Sequence, residues 1–150
     1  MHSLSRDLAA ILTPVYSGAT VSATAGGTGD ATAAPGDTID LTALADRFES
    51  VAFAIKATAT LAANKALTVT AKIETSADGT NWTDLTTSAT VITLSSVGGG
   101  TVTGAAVLGC SLEYASKDVR VNVTPDLTAT GTDTAVVTHV ALFGGRRHES

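Results

Sequence analysis

The sequence predicts an all-β fold, an antiparallel β-sandwich of jelly-roll type, and three observations lead there. Apolar residues recur with a period of two through residues 51–61, 67–73, 102–112 and 119–123. That spacing gives a strand one buried and one wet face. Turn-forming clusters such as Ala63-Asn64-Lys65, Asp78-Gly79 and Gly98-Gly99-Gly100 punctuate these runs, as strands of a sandwich require. No helical pattern lies between the runs, so nothing provides the crossovers of a parallel sheet.

Taken in order, residues 3–12 read as a short helix. Leu4, Leu8, Ile11 and Leu12 fall on one helical face, Ser3 or Ser5 can cap its start, and Pro14 stops it. So short a helix needs a surface to dock on. That surface is either a neighbouring molecule, reached by the segment as an arm, or the open end of the chain's own core. Residues 17–37 are rich in Ser, Gly, Ala and Thr and read as a loop with a short strand near 19–24. Gly26-Gly27-Thr28-Gly29 lacks the following helix and the Lys-Ser/Thr pair of a phosphate loop.

Alternation from Val51 to Leu61 gives the first long strand, and Leu67, Val69, Ala71 and Ile73 give the second. Adjacent in sequence, the two are expected to pair antiparallel. Asp78-Gly79 then turns the chain towards Trp82 and Leu85 as a hairpin, with the sole Trp as a core or interface anchor. Further strands follow near 90–95, 102–113 and 119–123, where Pro125 is expected to end the ladder because it has no N–H to donate. The last strand, 134–143, is apolar on both faces. This suits a central strand, or one covered on its outer side by another subunit. The domain plan is an N-terminal arm over residues 1–17, one sandwich over 18–145, and a basic tail over 146–150 that starts with Arg146 and Arg147.

Composition narrows the function classes. The chain of 150 residues carries a formal charge of −5, and its basic residues are scattered. That argues against nucleic acid, whose affinity rests on neutralised phosphates. No apolar run is long enough for a membrane helix. Asp7 and Pro14 interrupt the apolar stretch 8–15, which argues against a secretory leader. Aromatic residues make up only 4%, so the core is thin, because burial energy scales with area. A thin core favours self-association or docking on something larger. The one cysteine, Cys110, sits in an apolar strand and reads as an inert thiol. One Cys and three dispersed His offer no zinc set. Asp78, Asn81 and Asp84 resemble a calcium loop in composition but not in spacing. No catalytic constellation, cofactor or metal is expected. Trp82, Tyr16, Tyr114 and Phe48 leave a sugar-binding module open as a rival reading.

Several stretches together carry a family resemblance: Phe48 to Ile55, the run Glu74-Thr75-Ser76-Ala77-Asp78-Gly79-Thr80-Asn81-Trp82-Thr83-Asp84, then Val119-Arg120-Val121, and the closing Leu142-Phe143-Gly144-Gly145-Arg146-Arg147. Over roughly residues 36–147 the chain resembles small structural proteins of tailed-phage virions, of the head decoration or cement type. The resemblance implies a non-enzymatic homotrimer on the outer surface of a capsid. It also implies the major capsid protein as partner and synthesis in the host cytoplasm. A tail or head-fibre component is the alternative within the same class. The expected contact residues are Leu4, Leu8, Ile11, Leu12, Trp82, Arg146 and Arg147.

Overall fold

The computed structural model describes residues 7–128 and 131–147. In chain order the elements are helix α1 (Leu8–Ile11), then strands β1 (Thr13–Tyr16), β2 (Val21–Thr24), β3 (Ala34–Pro35) and β4 (Ile39–Asp40), and a 3-10 turn at Leu41–Ala43. The long strands follow: β5 (Arg47–Leu61), β6 (Lys65–Ser76), the short β7 (Thr83–Asp84), β8 (Ala89–Ser96), β9 (Gly100–Ser111), β10 (Asp118–Leu127) and β11 (Thr134–Arg147). No helix among the described residues is long and apolar enough to cross a membrane.

The strands form two antiparallel sheets. Sheet A runs β1-β11-β5-β9, with β2 continuing the β1 edge alongside β11; sheet B runs β3-β10-β6-β7, with β4 beside β10 and β8 beside β6. First pairs with last, and pairing proceeds inward: β1 and β2 with β11, β3 and β4 with β10, β5 with β9, and β6 with β8. A long antiparallel hairpin wrapped upon itself gives this order, which is the jelly-roll arrangement.

The expected pairing of 51–61 with 67–73 does not occur, because β5 lies in sheet A and β6 in sheet B. The physical reason is burial. Both strands carry a long inward apolar row, with Phe53, Ile55, Leu67, Val69 and Ile73 at 0–1% exposure. Facing each other across the core buries both rows. Backbone bonds come instead from β11 and β9 for β5, and from β10 and β8 for β6. Asn64, at φ 60°, turns the chain between the sheets. The remaining core is small: Ala57, Ala59, Ala71, Ala135 and Ala141 are all buried, so each contributes less than the ~1.5–3 kcal/mol of a buried Val, Leu, Ile or Phe.

Pro125 does not end β10. The strand continues to Leu127, and Pro125 is fully buried opposite Val69. Its carbonyl accepts from Ala31 N, on the side away from β6. In an antiparallel strand a residue's N–H points the same way as its C=O. The missing donor therefore faces the 29–33 loop, and no bond of the β6 ladder is lost.

The ends also differ in detail. Of the predicted helix, the described part is α1, capped by the Asp7 carboxylate accepting from Ala9 N. Thr13 to Tyr16, placed in the arm by sequence, form an edge strand against Val140 to Phe143. Arg146 and Arg147 extend β11 against Phe48 and Arg47.

Candidate interaction surface

The outward positions of sheet A fall into rows set by the strand registers. One row reads Pro14, Leu142, Ala52, Gly109, and the next Tyr16, Val140, Ala54, Val107. Farther along, Thr58 and Thr103 share a hydrogen bond at 3.2 Å, and Thr60 and Thr101 one at 3.1 Å. Lys56 is the one charged side chain among the outward positions of β5 between Ser50 and Thr60. Tyr16 and Val107 are 69% and 68% exposed, and Val136 and Val140 are exposed too. The small side chains Ala54 and Ala105 leave a shallow depression of about 430 Å³ beside Val107 and Val140. Four strands ~4.8 Å apart and about 11 residues long cover ~700 Å². A standard interface uses about 800 Å² per partner.

The outer face of sheet B is the opposite in character. Glu74, buried on the strand opposite Arg120, accepts from Arg120 Nε at 2.8 Å and from Lys72 Nζ at 2.9 Å. Lys72 also reaches Asp84 Oδ1 at 2.8 Å. Burial alone would raise the Glu74 pKa, but the bonds from Lys72 and Arg120 outweigh it and hold the carboxyl below its ordinary range. The same bonds keep Lys72 charged, with Asp84 the larger influence. The Arg120 guanidinium lies 4.0 Å above the Trp82 ring, a cation–π contact. These charges are satisfied within the face and leave little to attract a partner.

Trp82 is thus neither a core anchor nor an open aromatic platform. It is half-buried beside the hairpin turn, with one ring face covered by Arg120. Phe48 packs against Phe143 with tilted rings, centroids 5.5 Å apart, while the exposed Tyr16 and Tyr114 stand apart in the fold. Asp78 explains the hairpin: its carboxylate accepts from Thr80 N, Asn81 N, Asn81 Nδ2 and Ser76 Oγ. Those bonds, led by the Asn81 backbone, hold its pKa well below the usual carboxylate range. The residues that suggested a calcium loop hold a turn. Among the described residues, no group of three or more His, Cys, Asp or Glu is placed to hold a metal ion.

The other expected contact residues are distributed as follows. Leu8 and Ile11 are exposed, whereas Leu12 packs over Gly144 on sheet A. Arg146 pairs with Asp46 at 3.1 Å. Leu4 and the Arg147 side chain lie outside the described residues. The structure brings Leu12 to the sheet A end of the apolar face but leaves Trp82 on the other sheet. Val107, Ala52 and Ala54 belong to that face and were not singled out by sequence. The available signal was small apolar residues at outward positions of β5 and β9, where charged ones are usual.

At one end of the sandwich, an open cleft of about 1020 Å³ lies between the 41–49 and 111–117 segments. Its Lys117 pairs with Asp40 at 3.2 Å. His139 lies on the core side of β11, where Ser17 Oγ and His139 Nδ1 share a hydrogen bond at 2.6 Å and Nε2 is buried without a partner. Burial lowers the His139 pKa, against a smaller opposing pull from Asp37. Cys110 is half-buried and its thiol pKa is raised by burial, which disfavours the reactive thiolate.

No protein-family model matches the chain, and no curated protein matches it in sequence. Among solved structures, infectious bursal disease virus of the Gt strain matches with TM-score 0.51 at 10% identity, over 90% of this chain and 33% of that one. The Gx strain matches with TM-score 0.50 at 8% identity, over 93% and 34%. The PBSX exported protein XepA matches with TM-score 0.44 at 14% identity, over 96% and 40%. The likeness is one of fold. The chain spans 33–40% of the length of these proteins.

Proposed function

We propose that this chain is a non-enzymatic structural component of a phage virion, which decorates the outer surface of the capsid and bridges neighbouring capsomers. The observation that carries this reading is the outer face of sheet A, a surface of interface size with two adjoining apolar rows, from Pro14 to Gly109 and from Tyr16 to Val107, and a single lysine on its β5 ladder. A face of that size and character on a chain of net charge −5 suits permanent docking. The sequence resemblance to decoration proteins supplies the partner, the major capsid protein, and a homotrimeric state. The fold shared with structures of infectious bursal disease virus is compatible with it. The acidic side chains support the same reading, because they hold structure. Asp78 builds a turn, Glu74 joins two sheet B strands, and Asp133 accepts from Ala62 N. The exposed Leu8 and Ile11 of α1 give the arm an apolar grip. On a lattice, repeated weak contacts add through avidity.

The test is co-sedimentation of the purified protein with undecorated phage heads, together with its mass by light scattering. Saturable binding and a mass three times that of the 15.0 kDa chain are expected. A folded protein that ignores the heads refutes the capsid role.

A further inference from the structure

Among the described residues β9 has the longest uncharged free edge of the sandwich, with β8 close beside it. Among the described residues its ladder is made with β5 alone, so the opposite row of backbone N–H and C=O groups is unpaired. Natural sheets blunt such edges with charge, proline or short strands. The far edge of sheet A does so with the short β1 and β2 and with Pro14, and the β3 edge of sheet B with its short strand and Pro35; β8, at the other edge of sheet B, is uncharged but shorter, at 8 residues. The β9 edge, Gly100–Ser111, runs 12 residues with no charged residue and no proline. Its inward residues Val102, Ala106, Leu108 and Cys110 remain only partly covered.

We infer that β9 pairs antiparallel with β9 of a second copy, about a two-fold axis at Ala106, and joins the two A sheets into one. The order of residue sizes selects a copy as the occupant. Opposed residues of an antiparallel pair lie on the same face, so a residue must sit on the axis to keep both faces in phase. With Ala106 there, Gly104 meets Leu108, Thr103 meets Gly109 and Val102 meets Cys110. A large residue meets a smaller one in each case, as close packing requires. Leu94 already lies over Gly104, so Leu108 of the second copy closes against an apolar neighbour. Charge points the same way. A charged partner strand finds nothing on β9 to pair with, and a copy meets no like charge there. The strip is ~40 Å long and ~10 Å deep, about 400 Å² of projected edge from each copy. That lies below the ~1,200–2,000 Å² total of a stable complex, so the contact forms at high local concentration. It is separate from the three-fold contact of the capsid reading and does not depend on it.

The test uses full-length protein in a Cys110→Ser background. The pair Ala105→Cys with Val107→Cys is in register across the axis, whereas Thr103→Cys with Val107→Cys is out of register. Under mild oxidation at millimolar protein, the in-register variant is expected to form disulfide-linked dimers at least tenfold faster. Amide exchange over 101–111 is expected to slow as wild-type concentration rises. Equal rates for the two variants, or no dimer from either, overturn the inference; so does exchange that ignores concentration. Head binding is measured separately, so loss of edge pairing leaves the capsid reading standing.

Discussion

Replacing Glu74 with Ala is expected to cost about 2–3 kcal/mol of folding stability. Glu74 is 5% exposed and accepts two charge-assisted bonds, from Arg120 at 2.8 Å and Lys72 at 2.9 Å. Each such bond contributes ~1.5–3 kcal/mol, which gives a ceiling of about 6 kcal/mol. The loss falls short of that ceiling for two reasons. Lys72, with its side chain 28% exposed, keeps Asp84 as a partner, and Arg120, at 20%, can turn partly to water. For a chain of this size, each kcal/mol moves the melting temperature by ~2–4 °C, so a fall of about 5–10 °C is expected. Glu74→Gln keeps an acceptor for Arg120 and falls by less. The sole Trp reports the cause directly, because Glu74 anchors the guanidinium that covers Trp82. Its emission shifts to the red in Glu74→Ala. The pH dependence has a definite sign. The folded pKa is lowered, so the unfolded chain protonates first as pH falls below the ordinary 4.5. Wild type therefore loses this contribution in acid, and the gap to Glu74→Ala closes below about pH 4.5. Urea titration at pH 7 and pH 3.5 measures both. A difference under ~0.5 kcal/mol at pH 7, with unchanged Trp emission, refutes the argument.

Three further outcomes follow from the same geometry. Val140→Lys, on the outer face of sheet A, leaves folding stability within ~0.5 kcal/mol but weakens co-sedimentation with undecorated heads at least tenfold; wild-type binding removes that face from the proposal. Deleting residues 1–11 keeps β1 and the far-ultraviolet spectrum intact and weakens head attachment; a truncated chain that binds as before shows that the arm is idle. Burial lowers the folded pKa of His139, so the unfolded state takes up its proton first and stability falls as pH drops below about 6.5; His139→Leu flattens that slope, and an unchanged slope between pH 6.5 and 5 assigns it to another group.

Period-two alternation made the strands and their buried rows legible, because each inward residue from Val51 to Leu61 and from Leu67 to Ile73 is apolar. It could not say which strands pair. Val51 to Leu61 and Leu67 to Ile73 look like a hairpin from sequence, yet they face each other across the core. The alternation is the same whether a neighbour lies beside a strand or above it. Pro125 misled for a related reason: its effect depends on which side its absent N–H faces, and only the Ala31 contact shows that. Trp82 read from sequence as a core or interface anchor, yet it lies outside the core under Arg120, which arrives from a strand distant in sequence. The doubly apolar character of β11 fits its interior place in sheet A, between β1 with β2 and β5. The extension of its outer face by Ala52, Ala54 and Val107 needed the registers of β5 and β9.

The two sheets solve different problems with similar β-branched chemistry. Sheet B closes its outer face on itself: Glu74, Lys72, Arg120 and Asp84 satisfy one another, and their bonds tie β6 to β10 and β7. Sheet A leaves apolar area exposed and keeps one long edge unprotected. In a free monomer this is a liability, since uncharged edges and apolar faces invite association. The alanine-rich core makes it a larger one, because little buried area is held in reserve. Covering sheet A would add stability that the core alone does not supply. This asymmetry accounts for both proposals. Under either proposal a chain with a self-satisfied sheet B and an open sheet A is completed by neighbours, and its stability rises with their concentration.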